Sequence, residues 1–215
     1  MATEFHFYEP RHGHGLPHNP FYAIMGPRLI GWIATRSQDG VDNIAPYSFF
    51  GAYSVEPPII GFSSEGWKDT VENVKKTGEF TWSLVSRDLA EVMNQTSAPV
   101  APEVDEFSMA GIQKGDCRII SAKRVENSPV SFECRLSDLI RLKSSASEAL
   151  DRWLVLGEVV GVHIRSDLLI NGAYQTAKAE PILRAGGKSE YFGISDEDRF
   201  EMMRPFQGRS RPTDT

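Results

Sequence analysis

Cysteine is scarce: two residues of 215, Cys117 and Cys134, with no C-x-x-C pair. A thioredoxin-like motif and a four-ligand zinc site therefore have no basis. Two scattered thiols suit a reducing compartment and are expected to be half-buried core groups. Long apolar runs are also missing. The longest, Trp153 to Ile164, is broken by Glu158 and is too short to span a bilayer. The start, Met1 to His6, has neither a basic region nor an apolar stretch, so no signal peptide is seen and a cytoplasmic protein is expected. Positive charge is not in excess: 23 Lys and Arg stand against 29 Asp and Glu, for a net charge of −6. That argues against a broad electrostatic footprint for nucleic acid. G-x-G-x-x-G and G-x-x-x-x-G-K-[ST] are absent, so Rossmann and P-loop binding lack their signals. Gly61-Phe62-Ser63-Ser64-Glu65-Gly66 approaches a nucleophile elbow, but its second glycine comes one place late. No repeat is found at the periods of solenoids or propellers.

What is present is an ordinary globular composition, 40% hydrophobic and 24% charged, over a length that suits one domain, residues 1–215. An N-terminal arm to about residue 20, rich in His, Gly and Pro, and a polar C-terminal tail from about 207 to 215 flank it. His12, His14 and His18 in the arm are expected to be surface or interface histidines, with no metal site.

Between the ends lie strand-like segments. Arg28 to Thr35 precedes Ser37-Gln38-Asp39-Gly40, whose Asp-Gly pair marks a hairpin. Asn43 to Phe50 follows, and Pro46 inside it predicts a bulge or an edge. Pro58 to Ser63 is apolar. Asp69 to Lys76 is predicted as a helix, with Asp69 as N-cap, Glu72 completing a capping box, Val71 and Val74 on one face and Gly78 as the stop. Glu79 to Ser86 alternates like a half-buried strand. Arg87 to Thr96 suggests a second helix, and Ser97 to Gly115 a long excursion serving as a lid or interface arm. Pro129 to Leu142 and Trp153 to Ile164 are strands, and a last helix is expected near Asp196 to Met203 with Ser195 as cap. Six or more strands without regularly alternating helices favour a mainly β fold, a closed or partly closed antiparallel barrel.

The chemistry concentrates between Pro27 and Phe80. Ser63, Ser64, Lys68 and Thr70 offer hydroxyls and a cation just ahead of a helix start, which suits a phosphate. Asp69 opposes a phosphate unless its carboxylate is spent on capping. The stretch Asn43, Ala45, Pro46, Tyr47, Ser48 can line an apolar slot, with side-chain donors from Asn43 and Ser48 and backbone donors freed by Pro46. Thr35 can reach the same edge from the neighbouring strand.

In order, the motifs are P-R-x-I-G-W-I-x-T from Pro27, N-x-A-P-Y-S-F-F from Asn43, Pro57-Pro58, Phe62-Ser63-Ser64, K-D-T-x-x-N from Lys68 and T-G-E-F from Thr77. With Leu16 to Phe21 before them and Arg184-Ala185-Gly186-Gly187 and Tyr191 after, this series resembles the flavin reductase-like, FMN-binding split β-barrel family. The resemblance implies a six-stranded antiparallel Greek-key barrel with a few short helices. It implies FMN in a groove near a homodimer interface, with the residues just named as its binding set. It also implies hydride transfer from NADH or NADPH to flavin N5 and electron delivery to oxygen, a protein partner or a monooxygenase. Such chemistry belongs to the cofactor and requires no side-chain acid or base. His163 is a weak candidate for contact with flavin or nicotinamide; a core or interface role accounts for it better.

Three readings follow. The first is an NAD(P)H:FMN oxidoreductase. The second is an FMN-binding electron carrier or sensor without turnover. The third is a β-barrel interaction module that binds no flavin. Fold alone does not choose between the first two.

Overall fold

The computed structural model describes residues 3–187, 189–203 and 205. The expected tail at 207–215 lies outside the described residues, as do residues 1 and 2 of the arm. Seven antiparallel strands form the main sheet: β1 Gly31–Arg36, β2 Asp42–Tyr47, β3 Phe50–Val55, β4 Pro58–Glu65, β5 Glu79–Ser83, β6 Val130–Lys143 and β7 Ala149–Ile164. Their spatial order is β2-β1-β5-β6-β7-β4-β3.

The two ends of that order, β2 and β3, are consecutive in sequence and separated by Ser48 and Phe49 alone. One run of chain thus leaves the edge beside β1 and enters the edge beside β4, and the sheet curls into a barrel of six strand positions. The Ser63 amide donates to the Phe49 carbonyl at 2.9 Å, which continues the β3–β4 ladder to the corner, and among the described residues β2 has no ladder with β4. The seam between β2 and β4 is the split in the barrel.

Pro46 settles at that seam. Among the described residues β2 pairs only with β1, in unbroken register from Gly31 opposite Tyr47 to Arg36 opposite Asp42. Pro46 is therefore an edge residue and no bulge forms. The Ile44 amide points away from β1, towards Glu106 at 3.2 Å. Strand alternation turns position 46 the same way, so its missing N–H costs no ladder bond.

The barrel interior holds Ile33, Tyr47, Ile60, Phe62, Phe80, Trp82, Cys134 and Val155, closed at one end by Val71 and Val74 of helix α1, Asp69–Thr77. A second apolar cluster lies outside the barrel wall, where Trp32, Ala34 and Ile44 meet Met93, Phe107 and Val125. Met93 sits on helix α2, Ala90–Gln95, and Phe107 on the short helix α3, Glu106–Met109.

That outer layer corrects one expectation. β5 is not half-buried; Phe80, Thr81, Trp82 and Ser83 are all buried. Thr81 Oγ1 donates to the Lys123 carbonyl and Ser83 Oγ accepts from the Val125 amide, so the 123–125 segment covers the polar face. Helix α1 also departs in detail. Its N-cap is Lys68, Asp69 is the first helical residue, and no side chain caps the start. Glu72 bonds Trp67 Nε1 at 2.6 Å instead of completing a capping box. The helix expected over Asp196 to Met203 is a single 3₁₀ turn, Asp196–Asp198, and the Ser195 hydroxyl donates to Asp198 rather than capping. Cys134 is buried and Cys117 half-buried, and burial pushes the Cys117 thiol up to about 12. No helix among the described residues is long and apolar enough to cross a membrane.

Candidate functional site

A cavity of about 620 Å³ opens at the split. Its floor is the free edge of β2, with Asn43, Ala45, Pro46, Tyr47 and Ser48. Ser63 of β4, and Lys68, Asp69 and Thr70 at the start of α1, form one end. Phe49 and Tyr22 stand at another edge, and Thr96 to Val100, Pro102 and Glu106 of the long excursion make the remaining wall. Nine of the eleven expected binding residues therefore share one cavity. The other two, Thr35 and Ser64, are fully buried outside its lining. Thr35 Oγ1 donates to Asn43 Oδ1 at 3.2 Å, and Ser64 Oγ donates to the Gly66 carbonyl at 3.0 Å. Both stand behind lining residues.

The α1 end offers an anion a cation and free donors, set against the carboxylates of Glu65 and Asp69, the latter not spent on capping. Without a side-chain cap, the first-turn amides have no partner from a capping group. Lys68 is exposed at this end and forms no ion pair among the described residues. The Ser63 hydroxyl adds a donor, whereas the Thr70 hydroxyl donates to Asn43 Oδ1 at 2.9 Å and has no second proton for an anion. Beside them Trp67 meets Trp153 edge to face at 4.5 Å and carries the Lys75 ammonium over its ring at 5.0 Å.

The β2 end combines Ala45, Pro46 and Phe49 with the polar groups of Asn43, Tyr47 and Ser48. Phe49 packs against Tyr22 at 5.7 Å, with Arg28 over its ring at 5.2 Å. The Tyr47 hydroxyl is buried beside Thr70 and Ser64 but in hydrogen-bond geometry with neither. Burial pushes this phenol up to about 12, so it stays a neutral donor.

Glu106 was not singled out by sequence reasoning. It lies on a four-residue helix inside a Pro-rich excursion, too short for a periodic signal. It is 6% exposed, and its carboxylate accepts from Asn43 Nδ2 and from the Ile44 amide. Burial raises its pKa, against the pull of those two donors.

His163 is elsewhere. It lines a separate cavity of about 790 Å³ with Arg118, Arg124 and Arg165. Its Nε2 pairs with Glu133 at 2.6 Å. This side chain does not line the cavity at the split. Of the N-terminal histidines, His14 Nδ1 accepts from the Leu16 amide at 3.0 Å and His12 lies 3.7 Å from the Glu9 carboxylate. Among the described residues no three His, Cys, Asp or Glu are grouped to hold a metal.

This donor set fits FMN. The phosphate would meet Lys68, Ser63 and the amides at the start of α1, and the ring would lie along β2 beside the orphaned Tyr47 hydroxyl. The flavin reductase like domain family matches residues 26–181 of the chain. A protein of Aquifex aeolicus is 36% identical over 173 residues, 77% of this chain and 84% of its own length. Nitrilotriacetate monooxygenase component B from Bacillus cereus has the same fold, with a TM-score of 0.83 at 24% identity, covering 94% of this chain and 100% of that one. The 2-nitrobenzoate 2-nitroreductase of Pseudomonas fluorescens gives a TM-score of 0.75 at 25% identity, covering 88% and 91%.

Proposed function

The chain belongs to the flavin reductase-like family, and from that premise we propose that it is an FMN-binding oxidoreductase that takes hydride from NADH or NADPH and works as a homodimer. The observation that carries the proposal is the cavity in the barrel split. It joins an uncapped helix start with a free lysine to an open strand edge with a buried, unpartnered hydroxyl.

Bound FMN supplies a hydride acceptor at its N5 atom. The chain's own residues bind and orient it. Lys68, the Ser63 hydroxyl and the first amides of α1 would hold the phosphate by charge-assisted hydrogen bonds. Asn43, Tyr47 and Ser48 offer donors along β2, and Ala45 and Pro46 offer apolar contact. The wall from Thr96 to Pro102 keeps water from that face. No side chain in this set is asked to move a proton. The electron acceptor is a separate protein, and an oxygenase is the partner best matched by the likeness to a monooxygenase component.

The test is a visible absorption spectrum after mixing with FMN and desalting, then anaerobic addition of NADH or NADPH. Flavin absorbance that travels with the protein and bleaches on addition is the expected result. Bound flavin that does not bleach with either nucleotide favours an electron carrier. Protein that emerges colourless and does not oxidise NADH or NADPH with excess FMN sinks the proposal.

A further inference from the structure

The polar cluster behind the cavity permits hydrogen bonding in one direction only. Glu106 Oε1 faces Asn43 Nδ2 at 2.8 Å, and Oε2 accepts from the Ile44 amide at 3.2 Å. An ionised carboxylate has nothing to donate, so the Asn43 group facing it must be the NH₂. The other end of the carboxamide obeys the same logic. Asn43 Oδ1 accepts from Thr70 Oγ1 at 2.9 Å and from Thr35 Oγ1 at 3.2 Å. Thr35 in turn accepts from Asn73 Nδ2 at 3.1 Å, which leaves its own proton for Asn43. Donation therefore runs from Asn73 through Thr35 to Asn43, and from Asn43 to Glu106. Both lone pairs of Asn43 Oδ1 are filled and one of its two amide protons is taken. Asn43 lines the cavity while only 8% exposed. A single N–H is left for a ligand.

We propose that Glu106 is a positioning residue that makes Asn43 present a hydrogen-bond donor, and no acceptor, to the cavity. The site then selects a flat ring that sets a carbonyl or imine acceptor against Asn43 and rejects one that sets an N–H donor there, because two donors face to face in a buried site leave both unpaired. This rests on the reading of the cavity as an FMN site, since the isoalloxazine edge bears such acceptors. It also gives the Ser97 to Gly115 excursion a purpose. Asp105 caps α3 by accepting from the Ser108 amide at 3.3 Å, and the buried Phe107 ring anchors it, so the Glu106 carboxylate is held against β2.

A charge swap separates presentation from stability. Glu106→Gln alone leaves an amide that can accept from Ile44 or from Asn43 but not from both. Asn43→Asp alone sets two carboxylates against each other. In the double variant the new glutamine accepts from Ile44 and donates to the new aspartate. The aspartate still accepts from Thr35 and Thr70, and the formal charge is unchanged. Only the group shown to the cavity changes, from donor to acceptor.

The experiment is thermal melting of the three variants without flavin, with fluorescence titration of each using FMN. Both single variants are expected to melt below the parent protein. The double variant is expected to recover most of that loss yet bind FMN at least about tenfold more weakly. A double variant that binds FMN as tightly as the parent overturns the role of Glu106. One that melts as low as the single variants overturns the hydrogen-bond assignment. A parent protein that takes up no FMN overturns the functional reading, and this one with it.

Discussion

Lys68 owes its importance to having no other employment. Its neighbours are committed: Thr70 donates to Asn43, Glu72 pairs with Lys76 at 2.8 Å, and Lys75 lies over Trp67. Lys68 is exposed and unpaired among the described residues, so removing it leaves no buried charge behind. Lys68→Ala should therefore leave the fold intact while costing about 1.5–3 kcal/mol of FMN binding, roughly a 10- to 100-fold rise in Kd. The loss should shrink as salt is added, because the interaction is charge-assisted and partly open to solvent. FMN titration at low and high ionic strength checks both statements. An affinity unchanged at low salt would remove Lys68 from the phosphate site.

At the scale of elements, β7 must pass over the Phe80 ring. It does so at Gly157, next to an irregularity in its pairing with β6 between Leu156 and Gly157. A β-carbon at position 157 would overlap that ring. Phe80 is fully buried and flanked by Phe62 at 5.7 Å, so it has nowhere to go. Gly157→Ala should destabilise the protein by about 1–3 kcal/mol through overpacking. Urea unfolding should show a lower midpoint with the same slope, and an unchanged midpoint would mean the β6–β7 ladder can shift.

Elements with a local cause were legible in the sequence. Pro46 announced an edge, the Asp39-Gly40 pair announced the hairpin between β1 and β2, and Val71 with Val74 announced the buried face of α1. Errors arose where a distant segment decided the outcome. The polar residues of β5 suggested a solvent face, but residues 123–125 bring it hydrogen-bonding partners. Asp69 suggested a cap, but the chain turns into the helix one residue earlier. Glu106 carried no local signal at all, because its partners are more than 60 residues away in sequence.

For the whole molecule, two buried carboxylates oppose each other in pH dependence. Burial pushes the Glu133 carboxyl up, but the amides of Arg118, Ile119 and Ile120 and the His163 ring outweigh it and hold it below its ordinary 4.5. A group depressed in the folded state adds stability that is present above the unfolded value and lost as pH falls through the folded one. Glu133 thus makes stability fall on acidification below about 4.5. Glu106 has the other sign. Burial raises it, so the folded protein keeps its proton to a higher pH than the unfolded chain does, and stability declines as pH rises from about 4.5 through that raised value. The two windows meet at the shared unfolded value and do not overlap. Denaturant unfolding measured from about pH 3 to 7 can therefore resolve them. Glu133→Gln should flatten the acid limb and leave the limb above 4.5 as it was, whatever its cost in absolute stability. Glu106→Gln should do the reverse. Only the slopes are compared, because each substitution also removes hydrogen bonds. An acid limb equally steep in Glu133→Gln would show that other carboxylates carry it, and that the Glu133 clasp on the 118–120 segment contributes nothing to acid sensitivity.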